Sequence, residues 1–141
     1  MIRIRTLTEL AAYIEPVAGV FDDLDSRFSS GLTTLEKAAK LVEYFRRDSY
    51  YFGHMGADDT LLFFALIVPI NETEVNWHLL YSHSAYKHKT KTHIRDIKSI
   101  LEKDGFSTIY SITQRITPSY KRFMKSLGGH PCEIKYKMET K

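Results

Sequence analysis

The run Leu61–Val68, with the sequence LLFFALIV, restricts the possible folds of this chain more than any other segment. It contains no polar residue, so a strand formed from it is apolar on both faces. A strand of this kind is buried only where helices cover both sides of the sheet. The run therefore predicts a central strand in a helix-covered sheet.

Two further strands are expected beside this central one. Tyr50–His54 precedes it and is rich in aromatic residues, and the turn sequence GADD separates it from the strand Thr60–Ile70. Pro69 ends the central strand, Asn71–Glu74 forms a turn, and Val75–Ser82 is the next strand. Three consecutive strands joined by tight turns predict an antiparallel meander.

The start of the chain has the pattern of one strand and one helix. Apolar residues alternate with arginines over residues 2–7, which indicates a half-buried first strand. Thr8 is the expected N-cap of a helix over residues 9–23. Because Pro16 lies inside that helix, we expect a kink or a break there.

A second helix is expected to begin at Thr33 or Thr34 and to end near Arg46. Glu36 follows Thr33 by three residues, the spacing of a capping box. The periodicity of the segment predicts a buried face made of Leu35, Ala38, Ala39, Val42 and Phe45.

The second half of the chain continues with a basic helix over residues 89–103, which Gly105 ends, and a strand over residues 106–113. A strand reached through a helical crossover is expected to be parallel to its partner. Pro118 opens another helix, and residues 132–138 alternate as a closing strand. The order β-α-α-β-β-β-α-β-α-β predicts one α+β domain over residues 1–141, with a mixed, mostly antiparallel sheet and about four helices.

Charge is distributed unevenly along the chain. Residues 1–74 contain 7 Lys and Arg against 12 Asp and Glu, whereas residues 75–141 contain 13 against 5. The basic half is therefore the expected place for an anionic partner, either a cofactor phosphate or nucleic acid. A solvated lysine-rich surface is the alternative interpretation of the same charges.

The compartment is inferred from cysteine content and apolar runs. A single cysteine, Cys132, excludes an intramolecular disulfide and is interpreted as a plain thiol. The apolar run Leu61–Ile70 is too short to cross a bilayer, and Met1–Glu9 lacks the apolar core of a signal peptide. We expect a cytoplasmic protein, or one in a particle assembled in the cytoplasm, that is not bound to a membrane.

An acidic cluster early in the chain is interpreted as structural. Asp22, Asp23 and Asp25 lie at the expected end of the first helix, without the glycine and glutamate of a calcium loop. No metal site is therefore predicted.

Two segments resemble the GCN5-related N-acetyltransferase (GNAT) superfamily, which transfers acyl groups from acyl-CoA to amines. LLYSHSAYKHKTKTHI, residues 79–94, is similar to the family's strand, turn and helix with the R/Q-x-x-G-x-G/A loop that holds the CoA pyrophosphate. TPSYKRFMKSLGG, residues 117–129, is similar to the late helix ending in FYEKLGF. The resemblance extends over nearly the whole chain and includes its order of elements.

The resemblance implies acetyl-CoA as the cofactor. Lys87 takes the position of the loop's first Arg or Gln, and Thr90 and Thr92 take the positions of its two glycines. Glycine lets backbone N–H groups approach phosphate closely, whereas threonine adds bulk there, so binding would depend on lysine charge and the helix dipole. The implied cofactor-binding residues are Leu80, Tyr81, Ser82, Lys87, His88, Lys89, Thr90, Lys91 and Thr92.

The resemblance also implies a general acid and a general base. Met124 occupies the position of the tyrosine that protonates the departing thiolate in many members, and methionine has no proton to donate. Tyr120, one helical turn earlier, is the candidate substitute, with packing against the sheet as its alternative role. The candidate bases are Glu74, His78 and His83, each of which is also compatible with a plain strand-face or surface role.

Three functions follow from these residues. The first is an acyl-CoA-dependent N-acyltransferase that acetylates an amine. The second is a GNAT-fold protein without catalysis that serves in binding or in a protein assembly, such as a bacteriophage virion or host-takeover protein. The third is nucleic-acid binding through residues 87–98, with Tyr81 and Tyr86 as stacking partners.

Overall fold

The computed structural model describes residues 1–20, 33–43, 45, 48–112, 118–132 and 135–140. The strands are β1 (Ile2–Ile4), β2 (Tyr50–Met55), β3 (Leu61–Pro69), β4 (Glu74–Ser82), β5 (Thr108–Ile112), β6 (His130–Cys132) and β7 (Lys135–Glu139). The helices are α1 (Leu7–Gly19), α2 (Thr34–Glu43), α3 (Lys87–Lys103) and α4 (Pro118–Ser126), and a 3₁₀ turn spans Ser84–Tyr86. No helix in these described ranges is long and apolar enough to cross a membrane.

The strands form one mixed sheet in the order β1-β2-β3-β4-β5-β7-β6. β4 and β5 are parallel, whereas β1 with β2, β5 with β7, and β6 with β7 are antiparallel. The apolar strand β3 lies inside the sheet, and Phe63–Ile67 are all buried. The predicted fold class, a mixed and mostly antiparallel sheet with helices, is confirmed.

The chain divides into two compact units. The first contains residues 1–66 and 79–87, and the second contains residues 67–78 and 88–141. β3 and β4 each contribute residues to both units. The single domain over residues 1–141 stays a prediction.

The first helix of the first unit begins two residues earlier than predicted. Thr6 is its N-cap, and the Thr6 hydroxyl accepts a hydrogen bond from the Glu9 backbone N–H at 3.1 Å. Glu9 in turn accepts from the Arg5 backbone N–H at 3.1 Å. This Thr-x-x-Glu pair outcompetes Thr8 as a cap, so Leu7 is helical rather than part of the first strand. The helix is not split: it continues through Pro16 to Gly19.

The second helix has the predicted cap but a different buried face. The Thr33 hydroxyl accepts from the Glu36 backbone N–H at 3.2 Å, which confirms the capping box. Lys37 and Leu41 are buried, whereas Leu35 is 80% exposed and Val42 is 41% exposed. The predicted face was wrong because it left out both Leu41 and Lys37, whose aliphatic stem packs well along an apolar surface.

Aromatic side chains fill the core of the first unit. The Tyr51 ring packs against Phe64 and Phe45, with centroid separations of 6.2 Å and 5.2 Å. The Tyr13 ring on α1 lies 6.2 Å from Phe64 and crosses the β2 backbone at Gly53. A Cβ at position 53 would lie 2.4 Å from Tyr13 Cε1, so any other residue there would force the ring to move.

The second unit is built on the parallel pair β4 and β5, joined by α3. Register pairs Glu74 with Thr108 and Trp77 with Ser111. The buried residues of α3 are Thr90, His93, Ile94, Ile97 and Leu101. Gly105 then takes a φ of +95°, the left-handed conformation that ends a helix. The predicted crossover helix and parallel strand are confirmed.

The end of the chain differs from prediction. Residues 132–138 do not form a single closing strand, because the chain forms a hairpin of β6 and β7, with Cys132 opposite Lys135. β7 lies between β5 and β6, so the last strand is not an edge strand. α4 begins at Pro118 as predicted, and Gly128 beyond its end has a φ of +80°.

Replacing Gly53 with alanine tests the packing of α1 on β2. We expect Gly53→Ala to lower the free energy of unfolding by about 1–3 kcal/mol, because the buried Tyr13 ring has to move. Gly19→Ala is the matched control, since a Cβ at position 19 meets no atom within 4 Å. Urea denaturation measures both variants, and equal stability of the two would contradict the close approach.

Candidate cofactor site

The chain leaves β4 in a short turn that leads directly into α3. The parallel pairing with β5 extends from Glu74 to Trp77, and β4 continues for five more residues to Ser82. Leu80, Tyr81 and Ser82, three of the predicted cofactor-binding residues, form the end of this extension and are all half-buried. The positive end of the α3 dipole therefore follows β4 after a few residues.

His83 organises the turn. Its backbone N–H donates to the Leu62 carbonyl at 2.9 Å, and its own carbonyl accepts from the Tyr86 N–H at 2.8 Å. The His83 side chain is the N-cap of the 3₁₀ turn, because Nδ1 accepts from the Ala85 N–H at 3.1 Å. A nitrogen that accepts a hydrogen bond carries no proton, so this geometry requires a neutral imidazole.

Two further titratable side chains lie near this turn. The Tyr86 ring stacks on His54, with centroids 5.3 Å apart and an interplanar angle of 16°. Burial, followed by the charge of the N-terminal amino group, lowers the pKa of His54. Hydrogen bonds from Thr60, with a smaller contribution from the charge of His83, lower the pKa of Asp58 in the β2–β3 hairpin.

Residues 87–92 belong to the helix, not to a loop before it. α3 begins at Lys87, two residues earlier than predicted, and none of these six residues has a positive φ. Thr90, one of the two threonines at the family's glycine positions, is buried at 5% exposure on the inward face of α3. Its hydroxyl therefore belongs to the packing of the helix rather than to a phosphate cradle.

The other side chains at the start of α3 are exposed and mostly cationic. The exposed residues of this segment are Lys87, His88, Lys89, Lys91 and Thr92. The first turn contains no acidic residue. Positive side chains and the N-terminal dipole thus act in the same direction and favour an anion at the helix start, by charge rather than by a fitted backbone cradle.

The three predicted bases are distributed along the whole of β4 and its exit. Glu74 is the first residue of β4, His78 lies in its middle, and His83 follows its end. Glu74 and His78 share the half-buried face, which alternates with the buried residues Val75, Trp77 and Leu79. The structure therefore does not cluster the three candidates, and their catalytic roles stay predictions.

The Glu74 carboxylate is held by two side chains that the sequence interpretation missed. Oε2 accepts from the Tyr110 hydroxyl at 2.8 Å, and Oε1 accepts from Asn71 Nδ2 at 2.7 Å. Asn71 Oδ1 also accepts from the Thr73 and Glu74 N–H groups. The Asn-x-x-Glu spacing of the turn was the sequence signal for the bond between Asn71 and Glu74. The bond from Tyr110 could not be seen in the sequence, because it depends on the register of β5 against β4. Glu74 thus links the β3–β4 turn to β5.

The late helix has no proton donor at the position aligned with the family's tyrosine. Met124 is 3% exposed and packs against Gly129, where an added Cβ would lie 3.0 Å from the Met124 carbonyl and 3.4 Å from Met138 Cγ. Tyr120 lies in the first turn of α4, and its side chain is outside the described part of the structure. The predicted role of Tyr120 as an acid stays a prediction.

α3 and α4 are connected by a lysine that the sequence interpretation did not single out. Lys98 Nζ donates to the Leu127 carbonyl beyond the end of α4 at 3.2 Å. Burial, with repulsion from Arg95, lowers the pKa of Lys98. A cation at a helix C-terminus satisfies a carbonyl that has no partner inside the helix.

No metal centre is found within the described ranges, where no group of three or more His, Cys, Asp or Glu residues is placed to hold an ion. The acidic cluster Asp22, Asp23 and Asp25 lies outside the described residues.

Solved structures of acetyltransferases share this architecture over almost their whole length. A GNAT-family acetyltransferase from Staphylococcus aureus matches with a TM-score of 0.73 at 9% identity, covering 99% of this chain and 99% of that chain. The aminoglycoside 6'-N-acetyltransferase from Enterococcus faecium matches with a TM-score of 0.71 at 11% identity, covering 100% and 98%. The chain has the GNAT fold.

A third match was crystallised with coenzyme A. The PaiA N-acetyltransferase from Thermoplasma acidophilum, in complex with coenzyme A, has a TM-score of 0.62 at 16% identity, with 98% of each chain covered. Neither a family model nor a curated protein matches the sequence. At such low identity the structural similarity establishes the fold only, and the chemistry has to be inferred from the residues of this chain.

The Glu74 linkage can be tested by removing one hydroxyl. We expect Tyr110→Phe to lower the free energy of unfolding by about 1 kcal/mol, because the carboxylate loses a hydrogen-bond donor. Tyr13→Phe serves as the control, since Tyr13 is a core tyrosine whose described contact is with an aromatic ring. Thermal unfolding of both variants measures the difference, and an unchanged Tm for Tyr110→Phe would contradict the linkage.

Proposed function

We propose that this protein binds acyl-CoA and transfers the acetyl group to an amine. The observation that carries the proposal is the exit of β4 into the cationic first turn of α3, in a GNAT fold that spans the whole chain. The complex of a structural relative with coenzyme A supports the choice of cofactor.

The cofactor's phosphates match the charge of the residues present. Lys87 and Lys89 on the first turn of α3 would hold the pyrophosphate together with the helix dipole, and Lys91 adds a third cation one turn further on. The half-buried residues Tyr81 and Ser82 at the end of β4 would contact the pantetheine arm and the thioester. Without glycine, the fit is electrostatic, so binding should be weaker and more salt-dependent than in a glycine-lined loop.

The transfer needs one bond to form and one to break. The amine nitrogen attacks the thioester carbonyl, a C–N bond forms, the C–S bond breaks, and the CoA thiolate takes up a proton. His78 is the preferred acceptor of the amine proton, since imidazole is a common general base near neutral pH. The other two candidates already accept hydrogen bonds: the Glu74 carboxylate accepts from two side chains, and His83 Nδ1 accepts from the Ala85 N–H.

A second function is favoured by one observation. The buried Met124 gives α4 no proton donor at the position where the family has a tyrosine. A protein that binds acyl-CoA, or a protein partner, without catalysis is therefore the alternative proposal. Tyr120 is the residue on which the choice between the two depends.

The cofactor site is tested by calorimetric titration with acetyl-CoA. We expect binding in the micromolar to millimolar range, and Lys87→Ala with Lys89→Ala should weaken it by about tenfold, because each exposed ion pair between a lysine and a phosphate contributes up to about 1 kcal/mol. Lys103→Ala, at the opposite end of α3, is the control and should leave the affinity unchanged. An equal loss in all variants, or no binding at millimolar cofactor, would contradict the site.

Turnover separates the two proposals. Release of free CoA from acetyl-CoA is followed with a panel of primary amines, from aminoglycosides to polyamines and peptide N-termini. An active enzyme should lose about 10²–10⁴-fold in kcat on replacement of its acid or base, so Tyr120→Phe, His78→Gln and His83→Gln are compared. Binding without CoA release for any amine would favour the non-catalytic function.

A further inference from the structure

We propose that one side of α3 is a binding surface for duplex DNA, with Lys91, Arg95 and Lys98 in contact with the phosphate backbone. We call these three residues the cationic stripe. The proposal concerns a second partner of the protein and does not depend on the acyl transfer proposed above.

The three cations share one side of the helix. They follow one another at intervals of four and three residues, so their Cα atoms lie within about 60° of one another around the helix axis and within about 10 Å along it. Lys91 and Arg95 are exposed, and Lys98 is half-buried. All three belong to the second unit, so the positive surface lies within one compact body.

No acidic residue of the helix neutralises Lys91 or Arg95. Side chains three or four positions apart are neighbours on a helix surface, and at these distances from Lys91 and Arg95 the sequence has no Asp or Glu. Asp96 lies about 100° around the axis from Arg95, and Glu102 follows one turn after Lys98, where the stripe ends.

The single sign of the stripe distinguishes it from an ordinary solvated helix surface. Like charges three or four residues apart repel and destabilise a helix, whereas the exposed side of a helix that only faces water commonly alternates positive and negative residues. Lys91, Arg95 and Lys98 are such neighbours in pairs. An anion bound along the stripe relieves their repulsion, so the pattern favours an anionic partner.

Two members of the stripe are suited to phosphate. Lys98 Nζ donates to the Leu127 carbonyl at 3.2 Å, which orders the side chain before a partner binds and leaves two of the three ammonium protons available. Ordering in advance reduces the entropy lost on binding. Arg95 is exposed, and its planar guanidinium can donate two parallel hydrogen bonds to one phosphate.

The other residues of α3 favour duplex DNA over other polyanions. The helix contains no aromatic residue on which an unpaired base could stack. Its exposed residues are all polar, so this side has no apolar group to insert into a membrane. The major groove of DNA admits an α-helix, whereas that of duplex RNA is too narrow. Because each DNA strand carries one charge per about 3.4 Å, a stripe of about 10 Å spans about three phosphates.

The test measures binding of a fluorescently labelled DNA duplex of mixed sequence by anisotropy, over a series of salt concentrations. We expect a Kd of about 10⁻⁶–10⁻⁴ M near physiological salt, and a slope of log K against log salt of about −2.7, since each of three phosphates contributes about −0.9. Arg95→Ala should weaken binding by about three- to tenfold and make the slope shallower by about one. Lys98→Gln should act in the same direction.

Lys103→Ala is the matched control. Lys103 is an exposed cation of the same helix that lies on another side of it, directly after Glu102, so the affinity and the slope should stay as in the wild type. An equal loss in Arg95→Ala and Lys103→Ala would assign binding to net charge and overturn the stripe. A salt-independent affinity would overturn phosphate contact. Tighter binding to single-stranded DNA, to duplex RNA or to phosphatidylserine vesicles would overturn the choice of partner.

Titration of the same variants with acetyl-CoA separates this surface from the proposed function. Arg95 has no part in the proposed cofactor site, so Arg95→Ala should leave the affinity for acetyl-CoA unchanged. If the duplex binds with the expected slope while acetyl-CoA does not bind, the stripe is supported and the proposed function fails. If acetyl-CoA binds and the duplex does not, the proposed function stands and the stripe is overturned.

Discussion

The parallel pairing of β4 with β5 is the constraint on which the rest of the structure depends. Antiparallel neighbours need only a tight turn, but a parallel partner requires the chain to return to the other end of the sheet. α3 makes that return, so its N-terminus has to follow the end of β4. The lysines of this segment are therefore brought to the positive end of a helix by topology. The crossover alone therefore brings together the positive helix end and the lysines that would attract an anion.

The crossover explains where an anion would bind but not how tightly it would be bound. Lysine charge is long-ranged and screened by salt, whereas backbone N–H groups act only at close range and need a chain without side-chain bulk. Here Thr90 is buried and the chain at residues 87–92 is regular helix. A cofactor phosphate bound to this segment would therefore be held by charge rather than by geometric fit. Such binding is compatible both with a weak-binding enzyme and with a GNAT-fold protein without catalysis.

Much of the fold could be predicted from the sequence because its strongest patterns are local. The apolar run of β3, the Thr33 and Glu36 capping box and the crossover strand all follow from residues close together in the chain. The errors in helix starts and buried faces arose where two local sequence signals competed, or where a residue packs against a partner far away in the chain. Thr6 with Glu9 outcompeted Thr8, and the lysine stem at position 37 concealed the buried stripe of α2.

The position of the candidate site after β4 stays a prediction, and the hydrogen bonds inside this segment could not be predicted from the sequence. The basic segment after β4 was visible, yet its helix begins at Lys87 rather than at the predicted residue 89, because nothing in KHKTKT stops a helix. The cap formed by His83 and the bond between Tyr110 and Glu74 depend on where the turn and the register of β5 bring side chains. No periodicity in the sequence encodes such pairs.

The two borders of the sheet are its shortest strands. β1 and β6 have three residues each, and Pro131 in the middle of β6 has no N–H to offer a neighbour. Unpaired strands of greater length are templates on which other chains assemble into fibres. Among the described strands, the sheet ends in two brief borders, one of them interrupted by proline, so the protein should tolerate high concentration and partial loosening of its helices without polymerising through these borders.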